Sequence, residues 1–100
     1  MDEQLLKDFK SRMRIFHSAD DDNLKSILES SLVAIKRWCG SDDVNKLEIR
    51  ELVIERSRYV FNDSLEFFNE NFQSELMAVS LANYDEGADD ENEIPETQSQ

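Results

Sequence analysis

From Lys46 to Phe72 the chain reads KLEIRELVIERSRYVFNDSLEFFNENF, 27 residues with no glycine or proline. Apolar residues recur along it at helical spacing, and they do so on two faces. Ile49, Leu52, Val53, Val60 and Phe67 follow one stripe; Leu47, Ile54, Phe61, Leu65, Phe68 and Phe72 follow another. A helix lying on the surface of a domain needs only one stripe. A segment with two is expected to be packed on two sides and to form the spine of the protein. As a single helix of about 26 residues it would be about 40 Å long, against a radius of gyration near ~13 Å for a compact domain of this size. Such a helix either breaks, at Asn62-Asp63 or between Asn69 and Asn71, or carries one end out onto another molecule. A kink or short turn is expected near Asn69 to Asn71, with Asn71 capping a shorter helix from about Gln73 to Ala82.

The rest of the chain agrees with a helical fold. Its 100 residues include 2 glycines and 1 proline, too little turn chemistry for a many-stranded sheet. At 39% hydrophobic content it can bury a modest core. The predicted fold is all-α: a small bundle of about four helices around a long central helix, about residues 46–71. Residues 1–84 would form the domain and residues 85–100 an acidic C-terminal tail.

Two helices precede the spine. The first is expected from about Glu3 to Ile15, with Leu5, Leu6, Phe9, Met13 and Phe16 on one stripe and Lys7, Lys10, Arg12 and Arg14 facing solvent. His17 to Asn23 is a break in which Ser18 or an aspartate can cap the next helix, acids being favoured at its positive end. Three adjacent aspartates also suggest calcium, but the alternating ligands, central glycine and closing glutamate of an EF-hand loop are missing. The second helix, about Asp22 to Cys39, carries Leu24, Ile27, Leu28, Ser31, Leu32, Ile35, Trp38 and Cys39 on one stripe. Gly40 is its expected left-handed stop. Trp38 should anchor the edge of the core, Cys39 should be a buried thiol, and Asp43 or Asn45 can cap the spine.

Charge divides the chain. The net charge is −12, yet all 11 Lys and Arg residues lie at or before Arg58; residues 59–100 hold 11 acids and no base. Two readings follow: ends of opposite character that attract head to tail, or a solvated acidic tail. Duplex DNA binding by phosphate neutralisation needs clustered bases and is not expected. One cysteine allows no internal disulfide. No apolar run approaches the ~20 residues that span a bilayer, and the charged N-terminus lacks a signal-peptide core, so no membrane partner is expected. No catalytic constellation stands out either: His17, the only histidine, reads as a loop residue, and neither a phosphate-binding glycine loop nor a nucleophile elbow is present. A non-enzymatic protein without metal or cofactor is expected.

At the spine the pattern becomes familiar. Leu52-Val53, followed by Arg56, Tyr59 and Asn62-Asp63, resembles the core helix of the head–tail connector (adaptor) family of tailed bacteriophages. LLKDFKSRMRIFHSADDDNLKSILESSLVAIKRWCG resembles that family's N-terminal half, and FNENFQSELMAVSLANY its closing segment. The resemblance covers roughly residues 4–84. It implies a structural adaptor in the virion neck, assembled in the host cytoplasm. Its copies would form a ring, expected to be twelve-fold, beneath the portal protein. That ring would extend the channel for genomic DNA and carry a stopper or tail-completion protein. Arg56, Arg58, Tyr59, Asn62 and Asp63 are the candidate interface residues, Arg56 by pairing with a carboxylate; alternatively they set the register of the bundle. In the tail, Ile94 and Pro95 are the apolar anchor of a candidate docking arm, unless the tail is simply solvated. A different class is also open: an acidic regulatory module, such as a DNA mimic that occupies a DNA-binding protein.

Overall fold

The computed structural model describes residues 3–88, which contain four α-helices and no strand. They are α1 (Glu3–Met13), α2 (Asp21–Cys39), α3 (Leu47–Phe61) and α4 (Phe68–Ala88), with a 3-10 turn at Leu65–Phe67 between the last two. The expected all-α bundle is the observed one. Helices α2 and α3 pack on each other at the centre. Helix α1 lies on this pair, chiefly against α3, and α4 lies on it too, chiefly against α2; α1 and α4 do not meet. The core is Leu5, Leu6 and Phe9 from α1, Leu24, Leu28, Ile35 and Cys39 from α2, Ile49, Leu52, Val53 and Ile54 from α3, and Phe68 and Val79 from α4. Residues 89–100, which include Ile94 and Pro95 of the candidate arm, lie outside the described residues. Helix α4 runs four residues past Tyr84, where the tail was expected to begin.

The spine is not one helix. It ends at Phe61, and the chain turns through Asn62, Asp63 and Ser64 before the 3-10 turn. The backbone explains the stop. Asp63 is left-handed (φ 58°), its N–H donates to Val60 O (3.0 Å), and the Ser64 N–H donates to Tyr59 O (2.8 Å). These are the two bonds of a Schellman ending, which satisfy the last carbonyls of a helix when the next residue takes positive φ. The kink expected near Asn69 to Asn71 falls one residue further on, at Phe72 (φ −116°, ψ 16°); α4 continues across it, and the helix expected from about Gln73 is its part beyond the kink.

The same ending closes α1 two residues early. Arg14 is left-handed (φ 60°), its N–H donates to Ser11 O, and the Ile15 N–H donates to Lys10 O. Ile15 is thereby carried back toward the core, and Phe16 leaves the expected stripe to stand 86% exposed. Gly40 stops α2 as expected, at φ 82° with its N–H on Lys36 O. Capping by side chains is less used than the sequence suggested. Asp20 and Lys46 occupy the N-cap positions of α2 and α3 without a capping side-chain bond. Asp43 instead holds the loop, its carboxylate accepting the Asn45 N–H.

The bases of α1 do not all face solvent. Lys10 pairs with Asp21 at the start of α2 (2.6 Å), and Arg12 pairs with Glu51 and Glu55 on α3. Arg50 of α3 returns the bracing by pairing with Asp8 of α1. These partners lie up to 43 residues apart in sequence, so helix packing alone brings them together.

Candidate functional site

The five singled-out spine residues separate into three settings. Among the described residues Arg56 meets no carboxylate. Its Nη1 donates to Ser31 Oγ (3.1 Å) and Ser30 Oγ (3.4 Å) on α2, and its guanidinium lies 5.8 Å from the centre of the Trp38 ring. Position 56 faces α2 rather than an acidic helix, so hydroxyls and an aromatic face receive it. Beneath it the buried Ser57 hydroxyl donates to Ser31 Oγ (2.8 Å), a polar pair inside the α2–α3 contact. The Arg56 Nε has no partner, and burial disfavours its charged form, lowering the pKa.

Arg58 pairs with Glu55 (2.7 Å), which also receives Arg12. Burial raises the Glu55 pKa, but the bonds from Arg58 and Arg12 outweigh it and hold the carboxyl below its ordinary value. The structure brings Tyr59, Asn62 and Asp63 together at the corner, and Arg58 reaches it too, its guanidinium 5.4 Å from the centre of the Tyr59 ring and its carbonyl accepting the Asn62 N–H. The Tyr59 ring meets Phe68 (5.6 Å) and Phe72 (5.8 Å) edge-on, Phe68 stacks on Phe72 (4.8 Å), and Trp38 stacks on Phe68 (6.3 Å). Asn71, the expected cap, donates instead to the Tyr59 hydroxyl (3.0 Å). The α3–α4 corner is thus set from inside by an aromatic cluster and from outside by the turn at Asn62 and Asp63.

Around this corner both stripes of the spine are only partly covered. Of the second stripe, Ile54 and Phe68 are buried while Phe61, Leu65 and, at the opposite end of α3, Leu47 (69%) are exposed; of the first, Phe67 is 51% exposed. Helix α4 is two-faced in the same way. Leu76 and Val79 turn toward the core, while Met77 and Leu81, one turn apart, are exposed. With Trp38 they border an open groove of about 690 Å³ between α2 and α4, edged by Asn69, Glu70, Gln73 and Ser80. Sequence reasoning missed this groove, although its signal was present: Leu76, Met77, Val79 and Leu81 do not fit on one helical stripe.

The chemistry of these surfaces is that of association. No group of three or more His, Cys, Asp or Glu placed to hold a metal occurs among the described residues. Cys39 is buried, which raises its thiol pKa. No helix among the described residues is long and apolar enough to cross a membrane. Apolar side chains uncovered on two helices are a surface that association can cover. The chain's family agrees: residues 3–100 match the family described as Phage gp6-like head-tail connector protein, and the chain belongs to that family. No curated protein and no solved structure matches it. The chain is therefore a component of the phage virion, at the junction of head and tail.

Proposed function

We propose that copies of this chain form a ring, twelve-fold as in the family resemblance, beneath the portal protein. The ring extends the channel for genomic DNA and seats the stopper or tail-completion protein. The observation that carries this reading is the uncovered apolar surface along the spine and α4, present in a chain of the connector family. Elongation supports it: the extents are 50 × 26 × 17 Å and the radius of gyration is 15.2 Å, above the ~13 Å of a compact domain of this length. A net charge of −12 lets DNA pass without adhering, because phosphate attraction is what holds DNA to proteins.

Within this reading Tyr59, Asn62 and Asp63 fix the angle of the corner that a neighbouring copy meets, and Arg56 and Arg58 fix the register of the bundle. The acidic segment, with Ile94 and Pro95 as its apolar anchor, docks on the portal or on the next copy. The test is to mix the full chain with purified portal and image the product by electron microscopy. A ring stacked on the portal is expected. No complex at micromolar concentrations, by imaging and by sedimentation, would overturn the assignment. Removal of residues 85–100 should weaken portal binding, and unchanged binding would dispose of the arm.

A further inference from the structure

Phe16 is the most exposed large apolar side chain among the described residues, at 86%. It is also firmly presented. The chain before it is locked by the left-handed ending at Arg14, and Ile15 packs against the core. On its other side the His17 ring accepts the Ala19 N–H through Nδ1 (3.3 Å). Phe16 is thus a rigid knob at the end of α1. The groove bordered by Trp38, Met77 and Leu81 lies along α4, and α1 and α4 make no contact with each other.

We infer that Phe16 of one copy seats in the α2–α4 groove of the next, so that knob and groove are the two halves of one heterologous contact. Three observations converge on a second copy as the occupant. Knob and groove are different surfaces, on helices that do not touch, and a contact between unlike patches propagates from copy to copy and closes when the rotation allows. Charge is complementary. Arg14, beside the knob, is exposed and has no ion pair among the described residues, while Glu70 stands at the groove edge, also without one. Of the nearby acids, Asp20 accepts from Asn23 and Asp21 pairs with Lys10, while Asp22 is exposed at the start of α2. Size fits as well: about 690 Å³ holds an aromatic ring with its flanking backbone. The acidic segment 89–100, which could reach the groove from α4, would bring negative charge toward Glu70 and is the weaker occupant.

This inference rests on the reading that copies associate, and the experiment separates the two. Full-length Phe16→Cys and Met77→Cys chains are prepared singly and mixed under thiol–disulfide exchange, with and without portal; the buried Cys39 stays out of the exchange. A disulfide-linked dimer of one chain of each kind, absent when either is mixed with unsubstituted protein, is expected with or without a visible ring. In parallel, Phe16→Asp should weaken self-association about tenfold or more, the loss expected for an aromatic anchor, with an unchanged helical spectrum. Arg14→Glu should weaken it too, and Glu70→Arg should restore the Arg14→Glu chain. A ring on the portal that forms without the crosslink and tolerates Phe16→Asp overturns this contact and leaves the ring intact. Crosslink without a ring keeps the contact and removes the ring. Crosslinking of Met77→Cys to Ile94→Cys in place of Phe16→Cys would give the groove to the C-terminal segment and overturn the inference.

Discussion

Asp63→Gly should stabilise the subunit, and the size of the gain follows from the backbone. Asp63 holds φ 58°, and its exposed carboxylate makes no hydrogen bond or ion pair among the described residues. A left-handed residue with a side chain costs about 1–2 kcal/mol, with aspartate toward the lower end. Glycine removes that cost but gains about 0.4–1 kcal/mol of freedom in the unfolded chain. The difference is a stabilisation of up to about 0.6 kcal/mol, or up to roughly 5 °C in Tm for a domain of this size. Thermal and urea unfolding followed by far-UV circular dichroism would measure it. Gly40→Ala is the mirror control. Gly40 sits at φ 82°, and an added Cβ would come no closer than 3.9 Å to Asn83, so strain alone should destabilise that chain by about 1 kcal/mol. The reasoning is refuted if Asp63→Gly loses stability, because the carboxylate would then be making a contact stronger than the strain. Assembly with portal is read on the same sample. A chain that is more stable yet assembles poorly would move Asp63 from the turn to the interface.

Other outcomes are equally definite. Leu28→Ala, at a fully buried position on α2, should cost about 2–5 kcal/mol, a large part of the ~5–15 kcal/mol of a whole domain; it is measured as a lowered urea midpoint. Phe67→Ser, at an exposed position of the 3-10 turn, should change stability by no more than about 0.5 kcal/mol while reducing ring formation on the portal. Acid should loosen α1. Asp8 is held below its ordinary 3.8 by hydrogen bonds from Arg50 and then Gln4, and Glu55 below 4.5 because the Arg58 and Arg12 bonds outweigh its burial. With folded pKa values below the unfolded ones, both contribute stability above those ordinary values and lose it as pH falls through the folded values. Unfolding midpoints should drop below about pH 4.5, and Asp8→Asn should flatten part of that drop.

How legible the fold was varies by element, for physical reasons. Helix α2 could be read almost to the residue, because its single apolar stripe and Gly40 state the same boundaries. The spine could not. Phe61, Leu65, Phe68 and Phe72 keep helical spacing across the turn at Asn62 to Ser64, and periodicity carries no information on the sign of φ at Asp63. Phe16 was misplaced for the same reason, since Arg14 ends α1 without a glycine to announce it. Partners fixed only by packing were out of reach: Arg56 found serines and a tryptophan where a carboxylate was expected. The surplus of apolar faces was legible at Lys46 to Phe72. Which of those side chains stay uncovered depends on where α4 lies, and the sequence does not state that.

The turn at Asn62 to Ser64 also acts as the fulcrum of a lever. Helix α4, at about 1.5 Å per residue, is roughly 32 Å long, and the two backbone bonds of the turn sit at its root. A change of about 10° in its direction would carry the far end about 5–6 Å. In the ring proposed above every copy would make the same change, so a small torsional difference around Asp63 would become a change in its bore. Three residues of turn would then bear on a dimension that no single subunit possesses.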